Sequence, residues 1–213
     1  MKDNHFVINI GRQLGSGGRE IGTKLAEKLG ISFYDKELIN LASKESGLCK
    51  ELFEKADEKP SQTVVGSFLG ARFSLFTDAS VPYANYLSND TLFKIQSDVI
   101  RDLAAKQSCI FVGRCADYIL RDFPRCVNVF ISAPTEDRVK RLCATENLSE
   151  EEAKEVIRRT DKKRSEYYNY YSYKTWGAAE TYHLCIDSSI LGMNETILFI
   201  EEFAKKKLKL FPK

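Results

Sequence analysis

"INIGRQLGSGGREIGTKLAEKLG", residues 8 to 30, decides how the rest of the chain is read. An apolar segment, Phe6 to Ile10, runs into a glycine-rich turn, "GSGG" at residues 15 to 18. Beyond the turn, Ile21, Leu25 and Leu29 recur every four residues, the spacing of a helix with one buried face. Gly30 follows in the place of a C-cap. Strand, glycine turn and helix together make an anion site. The glycines of such a turn let the backbone approach phosphate oxygens, and the helix N-terminus adds positive potential. The plainer reading is a tight strand-to-helix turn without a ligand. The phosphate-loop pattern G-x-x-x-x-G-K-[ST] fits in two ways. One sets Gly17 and Gly18 against G-K and leaves glycine in the lysine slot; the other sets Gly18, Arg19 and Glu20 against G-K-[ST]. In either case Arg12 or Gln13 stands where the leading glycine belongs. Arg19 can bind phosphate through two N–H groups. Glu20, Ser16 or Thr23 can offer oxygen to Mg²⁺, which prefers oxygen ligands. Glu20 also suits a first helical turn simply as an anion.

Outward from this unit, four more apolar segments read as strands: Ile31 to Tyr34, Cys109 to Val112, Val127 to Ser132, and His183 to Asp187. Uninterrupted runs such as "CIFV" and "VNVFIS" suit a sheet covered on both faces. Helical spacing separates them, at Leu92, Ile95, Val99 and Leu103, and again at Val139, Leu142 and Cys143. Ser149 with Glu152 is a capping box that opens another helix. The alternation predicts an α/β fold with a mainly parallel sheet. Two stretches interrupt it. Residues 44–90 carry mixed turn signals and read as a helical or irregular insertion; residues 149–182 are charged and then tyrosine-rich, and read as a second, mobile insertion.

Length and charge narrow the function. A chain of 213 residues builds one domain with small insertions and a core that needs no staples. A net charge of +2 gives no general attraction to nucleic acid or anionic membrane, so a basic site must be local. No apolar run approaches the roughly 18 residues of a membrane span, and the N-terminus lacks a signal-peptide pattern. Six scattered cysteines without a C-x-x-C pair read as reduced, buried thiols of a cytoplasmic protein.

Charged residues at strand ends supply the candidate site. Asp35 closes the second strand, where ligands bind in open α/β sheets, and also suits a helix N-cap. Gly113 and Arg114 follow the third long apolar run, so Arg114 faces the same crevice. Its alternatives are salt bridges to Asp35 or Asp117. Arg158, Arg159, Lys162, Lys163 and Arg164 crowd into "IRRTDKKR"; a solvated face and a phosphate-closing lid both explain them. Tyr167, Tyr168, Tyr170, Tyr171 and Tyr173 need a surface to pack on: a nucleobase, the sheet, or a second subunit in a homodimer.

These motifs, "GRQLGSGGREIGTKLAEKLG", "FYDKELI", "FVGRCADYIL", "RRTDKKRSEYYNYYSYKTWG" and "YHLCIDSSILGMNET", resemble in order those of the cytidylate kinase-like family, within the P-loop nucleoside monophosphate kinases. The resemblance implies the three-layer P-loop NTPase fold, with a five-stranded parallel sheet in the order 2-3-1-4-5. It implies an acceptor-side insertion over 44–90 and a lid over 149–182. It also implies ATP and Mg²⁺ as cofactors and a nucleoside monophosphate or similar small phosphorylated acceptor. Donor phosphates would meet Arg12 and Gly15, Ser16, Gly17, Gly18, Arg19 and Glu20, with Glu20 and Ser16 toward the metal. The acceptor would meet Asp35, Arg72, Arg114 and Asp161. Arg19, Arg114, Arg159 and Arg164 would serve catalysis. The chain departs from the family pattern in the missing phosphate-loop lysine and in Cys115, where an aspartate follows the arginine of "GR". The alternative function is a nucleotide-binding or regulatory module without catalysis.

Overall fold

Strands that are apolar throughout become central because both of their faces are covered. The computed structural model describes residues 5–36, 38–40 and 89–209. Of the expected insertion, residues 44–88, Arg72 and Cys49 among them, lie outside the described residues. Five parallel strands form one sheet in the order β2-β3-β1-β4-β5. They are β1 (Val7–Arg12), β2 (Ser32–Tyr34), β3 (Cys109–Val112), β4 (Cys126–Ser132) and β5 (Leu184–Asp187). Each lies within about two residues of the segment expected from sequence, and the order is the one that the resemblance implied.

The helices follow the apolar stripes. They are α1 (Gly18–Leu29), α2 (Asn89–Lys106), α3 (Ala116–Ile119), α4 (Thr135–Glu146), α5 (Glu150–Ser172) and α6 (Ser188–Leu208). Gly30 ends α1 in the left-handed conformation, its amide bonded to the Ala26 and Glu27 carbonyls. Ser149 and Glu152 close the expected capping box at the start of α5. That helix is continuous for 23 residues, so most of the second insertion is one long helix. No helix among the described residues is long and apolar enough to cross a membrane.

Strand alternation sorts the core into two layers. Ile8, Ile10, Ile110, Val112, Val129 and Ile131 pack with Ile21 and Leu25 of α1 and Ile197 and Ile200 of α6. On the other face, Val7, Cys109 and Phe111 pack with Ile100 and Ala104 of α2 and Ile119 of α3. A third cluster joins Leu14 to Val139 and Leu142 of α4 and to Ala153, Val156 and Ile157 of α5. It sets α5 beside the glycine-rich turn. One expectation fails: Cys185, read as buried, is exposed, because β5 is an edge strand whose outer face α6 does not cover. Cys109, Cys115 and Cys126 are buried free thiols as expected.

The two kinds of stabilisation differ in size. Ile131, fully buried in the α1/α6 layer, should cost about 2–5 kcal/mol of unfolding free energy when changed to Ala. Ser149→Ala, which removes a cap, should cost about 1 kcal/mol. Urea denaturation of both variants checks the ranking.

Candidate phosphate-binding cleft

All five strands are parallel, so their carboxyl ends share one edge of the sheet, the usual place for a ligand. A cleft of about 690 Å³ opens there, within the range of small-molecule sites. Its wall begins with the glycine-rich turn. Gly15 and Gly17 adopt φ of 77° and 78°, a region costly for residues with a Cβ, and Gly17 is the N-cap of α1. A Cβ at Gly17 would also lie 2.5 Å from the Met193 Cε.

Each carbonyl of the turn is bonded away. The Gln13 carbonyl accepts from the Ser16 hydroxyl at 2.9 Å. That of Leu14 accepts from the Arg138 Nε at 2.7 Å, that of Gly15 from the Arg141 Nη1, and that of Ser16 from the Ser188 hydroxyl at 2.7 Å. The Gly17 carbonyl accepts from the Ile21 amide at 2.9 Å. By contrast, the amides of Gly15, Gly17, Gly18, Arg19 and Glu20 bond no acceptor among the described residues, and all five residues line the cleft. Orphan amides at a helix start are what binds phosphate in such turns.

Arg19 takes a different direction from the one expected. Its Nε and Nη2 donate to the Asp35 Oδ2 at 2.8 and 2.7 Å. The Asp35 side chain is 3% exposed and that of Arg19 is 63% exposed. The other Asp35 oxygen accepts from the Leu38 amide at 3.1 Å, the capping role read from sequence. Arg19 therefore ties the start of α1 to the end of β2. Of the two expected cation ligands, Glu20 lines the cleft while pairing with Lys24 at 2.7 Å. Ser16 is wholly buried and does not line it.

Arg114 sits in a turn of three left-handed residues after β3, with φ of 84°, 55° and 54° at Gly113, Arg114 and Cys115. Such strain in non-glycine residues gathers at functional sites. The Arg114 guanidinium lies over the Tyr167 ring, 5.3 Å from its centre, which fits neither salt bridge considered from sequence. From α5, Thr160, Lys163 and Arg164 line the cleft, whereas Arg159 is exposed and does not. Arg164 donates to the Arg12 carbonyl at 3.1 Å.

Asp161, expected toward the acceptor, does not line the cleft. It accepts from the Leu14 amide at 2.8 Å and from the buried Arg138. Burial raises its carboxyl above the usual range, against the opposing pull of the Leu14 hydrogen bond and the Arg138 and Arg164 charges. Arg138, Arg141 and Ser188 were missed in the sequence. Arg138 alone left a signal: it stands four residues before Leu142, a cation on an apolar stripe.

A second polar group lines the same cleft. Asp117 accepts from the Tyr168 hydroxyl at 2.6 Å, and Asn9, Cys115, Asp117, Tyr168 and Tyr182 line the cleft. Burial raises the Asp117 carboxyl, opposed by the Tyr168 hydrogen bond and more weakly by Lys174. Burial likewise pushes the Cys115 thiol up, so it carries no thiolate at neutral pH. A raised folded pKa means that the folded chain holds a proton which the unfolded chain gives up near the ordinary value of 3.8. The stability from Asp117 is thus complete below that value and falls as pH rises through the folded one. Asp117→Asn should flatten this fall. Melting curves of both proteins should diverge in favour of the variant from about pH 4 upward; parallel curves would show that the carboxyl titrates normally.

The model of the cytidylate kinase-like family matches residues 7–190. No curated protein matches the chain. Among solved structures, it is similar to an uncharacterized protein from Eubacterium ventriosum ATCC 27560, at 26% identity and a TM-score of 0.70, over 94% of this chain and 99% of that one. It is similar in fold to a shikimate kinase from Bacteroides thetaiotaomicron, at 14% identity and a TM-score of 0.50, over 96% and 98% of the two chains. TT1252 from Thermus thermophilus gives 16% identity and a TM-score of 0.50, over 93% and 97%. With the family model spanning most of its length, the chain belongs to the cytidylate kinase-like family.

Proposed function

We propose that the protein is an ATP- and Mg²⁺-dependent phosphotransferase whose acceptor is a nucleoside monophosphate, cytidylate-like, or a similar small phosphorylated molecule. The observation that carries this reading is the glycine-rich turn, with the carbonyls of residues 13 to 17 all bonded within the protein and five amides left at the cleft. Family membership supports phosphoryl transfer as the general chemistry. Such transfer rests on positioning and on positive charge around the moving group. It needs no covalent nucleophile, so the protonated Cys115 thiol is no obstacle.

The turn amides would hold the donor phosphates. Arg114, on its strained turn at the end of β3, would hold the acceptor phosphate. Lys163 and Arg164 would close over both from α5. Asp35 would keep Arg19 in place and with it the first turn of α1. No group of three or more His, Cys, Asp and Glu side chains suited to a metal occurs among the described residues. Mg²⁺ is usually held by one or two carboxylates together with substrate phosphates. Glu20, which lines the cleft, would be that carboxylate, and the bound ion would supply charge neutralisation on the phosphates.

Wild-type protein incubated with ATP, Mg²⁺ and a panel of nucleoside monophosphates should phosphorylate at least one of them. Arg114→Ala should lower kcat/KM by roughly 100-fold or more. Saturable ATP binding without transfer to any acceptor would favour the non-catalytic nucleotide-binding module. Absence of ATP binding would remove both readings.

A further inference from the structure

In the phosphate-loop pattern the lysine follows the second glycine, and the first glycine stands five residues before that. With Gly17 as the second glycine, the first slot holds Arg12 and the lysine slot holds Gly18. Glycine and cation have exchanged positions. In the fold the two positions touch. A Cβ on Gly18 would lie 2.6 Å from the Arg12 Cβ and 3.0 Å from its Cγ. The stem of Arg12 therefore fills the space in which a lysine side chain at position 18 would begin. The far end of the same side chain reaches the turn after β3, where a Cβ on Gly113 would run into the Arg12 Nη1. Arg12 thus spans the cleft from the glycine-rich turn to the residue preceding Arg114.

We propose that Arg12 supplies, from the end of β1, the phosphate-directed charge that the lysine of a phosphate loop supplies from the start of the helix. This rests on the reading of the turn as the donor-phosphate site. Its guanidinium lies between the side assigned to the donor and the side assigned to the acceptor, where the transferred group must pass. Gly18 is then glycine because Arg12 occupies its side-chain volume, and the two positions are exchangeable only as a pair.

The test compares four proteins: wild type, Arg12→Met, Gly18→Lys, and Arg12→Gly with Gly18→Lys, which rebuilds the ordinary pattern. Calorimetry with ATP and Mg²⁺ reads affinity, and thermal melting confirms folding. Arg12→Met should weaken ATP by about 10- to 100-fold, the worth of a charge-assisted contact. Gly18→Lys alone should lose both affinity and melting temperature. The paired variant should return to within a few-fold of wild-type affinity. Should Arg12→Met melt early, Arg12→Gln keeps more of the polar character and is expected to show the same loss. Wild-type affinity in Arg12→Met, or a folded paired variant that binds no better than Arg12→Met, would overturn the assignment alone. A wild-type chain that does not bind ATP would overturn it together with the reading on which it rests.

Discussion

A loop can turn its amides toward a ligand only where its carbonyls are satisfied elsewhere, because each peptide unit carries both groups and neither is left idle at low cost. The glycine-rich turn meets this constraint with side chains from far along the chain. Arg138 and Arg141 of α4 take the Leu14 and Gly15 carbonyls, and Ser188 at the start of α6 takes that of Ser16. The site near the N-terminus is therefore shaped by elements that follow β4 and β5. The glycines permit the conformation, and the helices behind them select it.

The buried pair of Arg138 and Asp161 belongs to the same constraint. Removing two charges from water can cost more than their attraction returns, so such a pair is weak evidence for stability. The raised pKa of the Asp161 carboxyl has that origin, burial outweighing the Leu14 hydrogen bond and two nearby arginines. What the pair does geometrically is specific. Arg138 holds the carbonyl of Leu14 and Asp161 holds its amide, so a single residue is gripped from α4 and α5 at once. Surface pairs such as Lys106 with Asp102 are more than half exposed on both sides; they add little stability and position nothing.

Local pattern carried the fold well. The five strands are continuous apolar runs, α1 shows a four-residue apolar repeat, and the start of α5 has a capping box; each is decided by residues within a few positions of one another. The side-chain directions within the site were not legible, because their partners are distant. Spacing points Arg19 at phosphate, and β2 brings Asp35 beside it. The resemblance sets Asp161 toward the acceptor, whereas the packing of α4 against α5 brings it under Leu14. The tyrosines of α5 left three surfaces open, and the fold answers with neighbours within the chain. Tyr171 stacks on Phe93 of α2 at 3.9 Å, and Tyr168 bonds Asp117, while Tyr170 and Tyr173 remain exposed.

Moving a cation from a helix to a strand end also changes how it is held. A lysine is a point charge on a flexible four-carbon stem, and fixing that stem on a ligand costs rotamer entropy. The stem of Arg12 is already confined between Gly18 and Gly113, and Arg164 bonds its backbone carbonyl. Much of its freedom is therefore lost on folding, before any phosphate arrives. Preorganisation of this kind favours binding by reducing what remains to be ordered. It also ties the cation to β1, the central strand of the sheet. The geometry of Arg12 thus depends on the core, while that of Lys163 and Arg164 depends on the packing of α5.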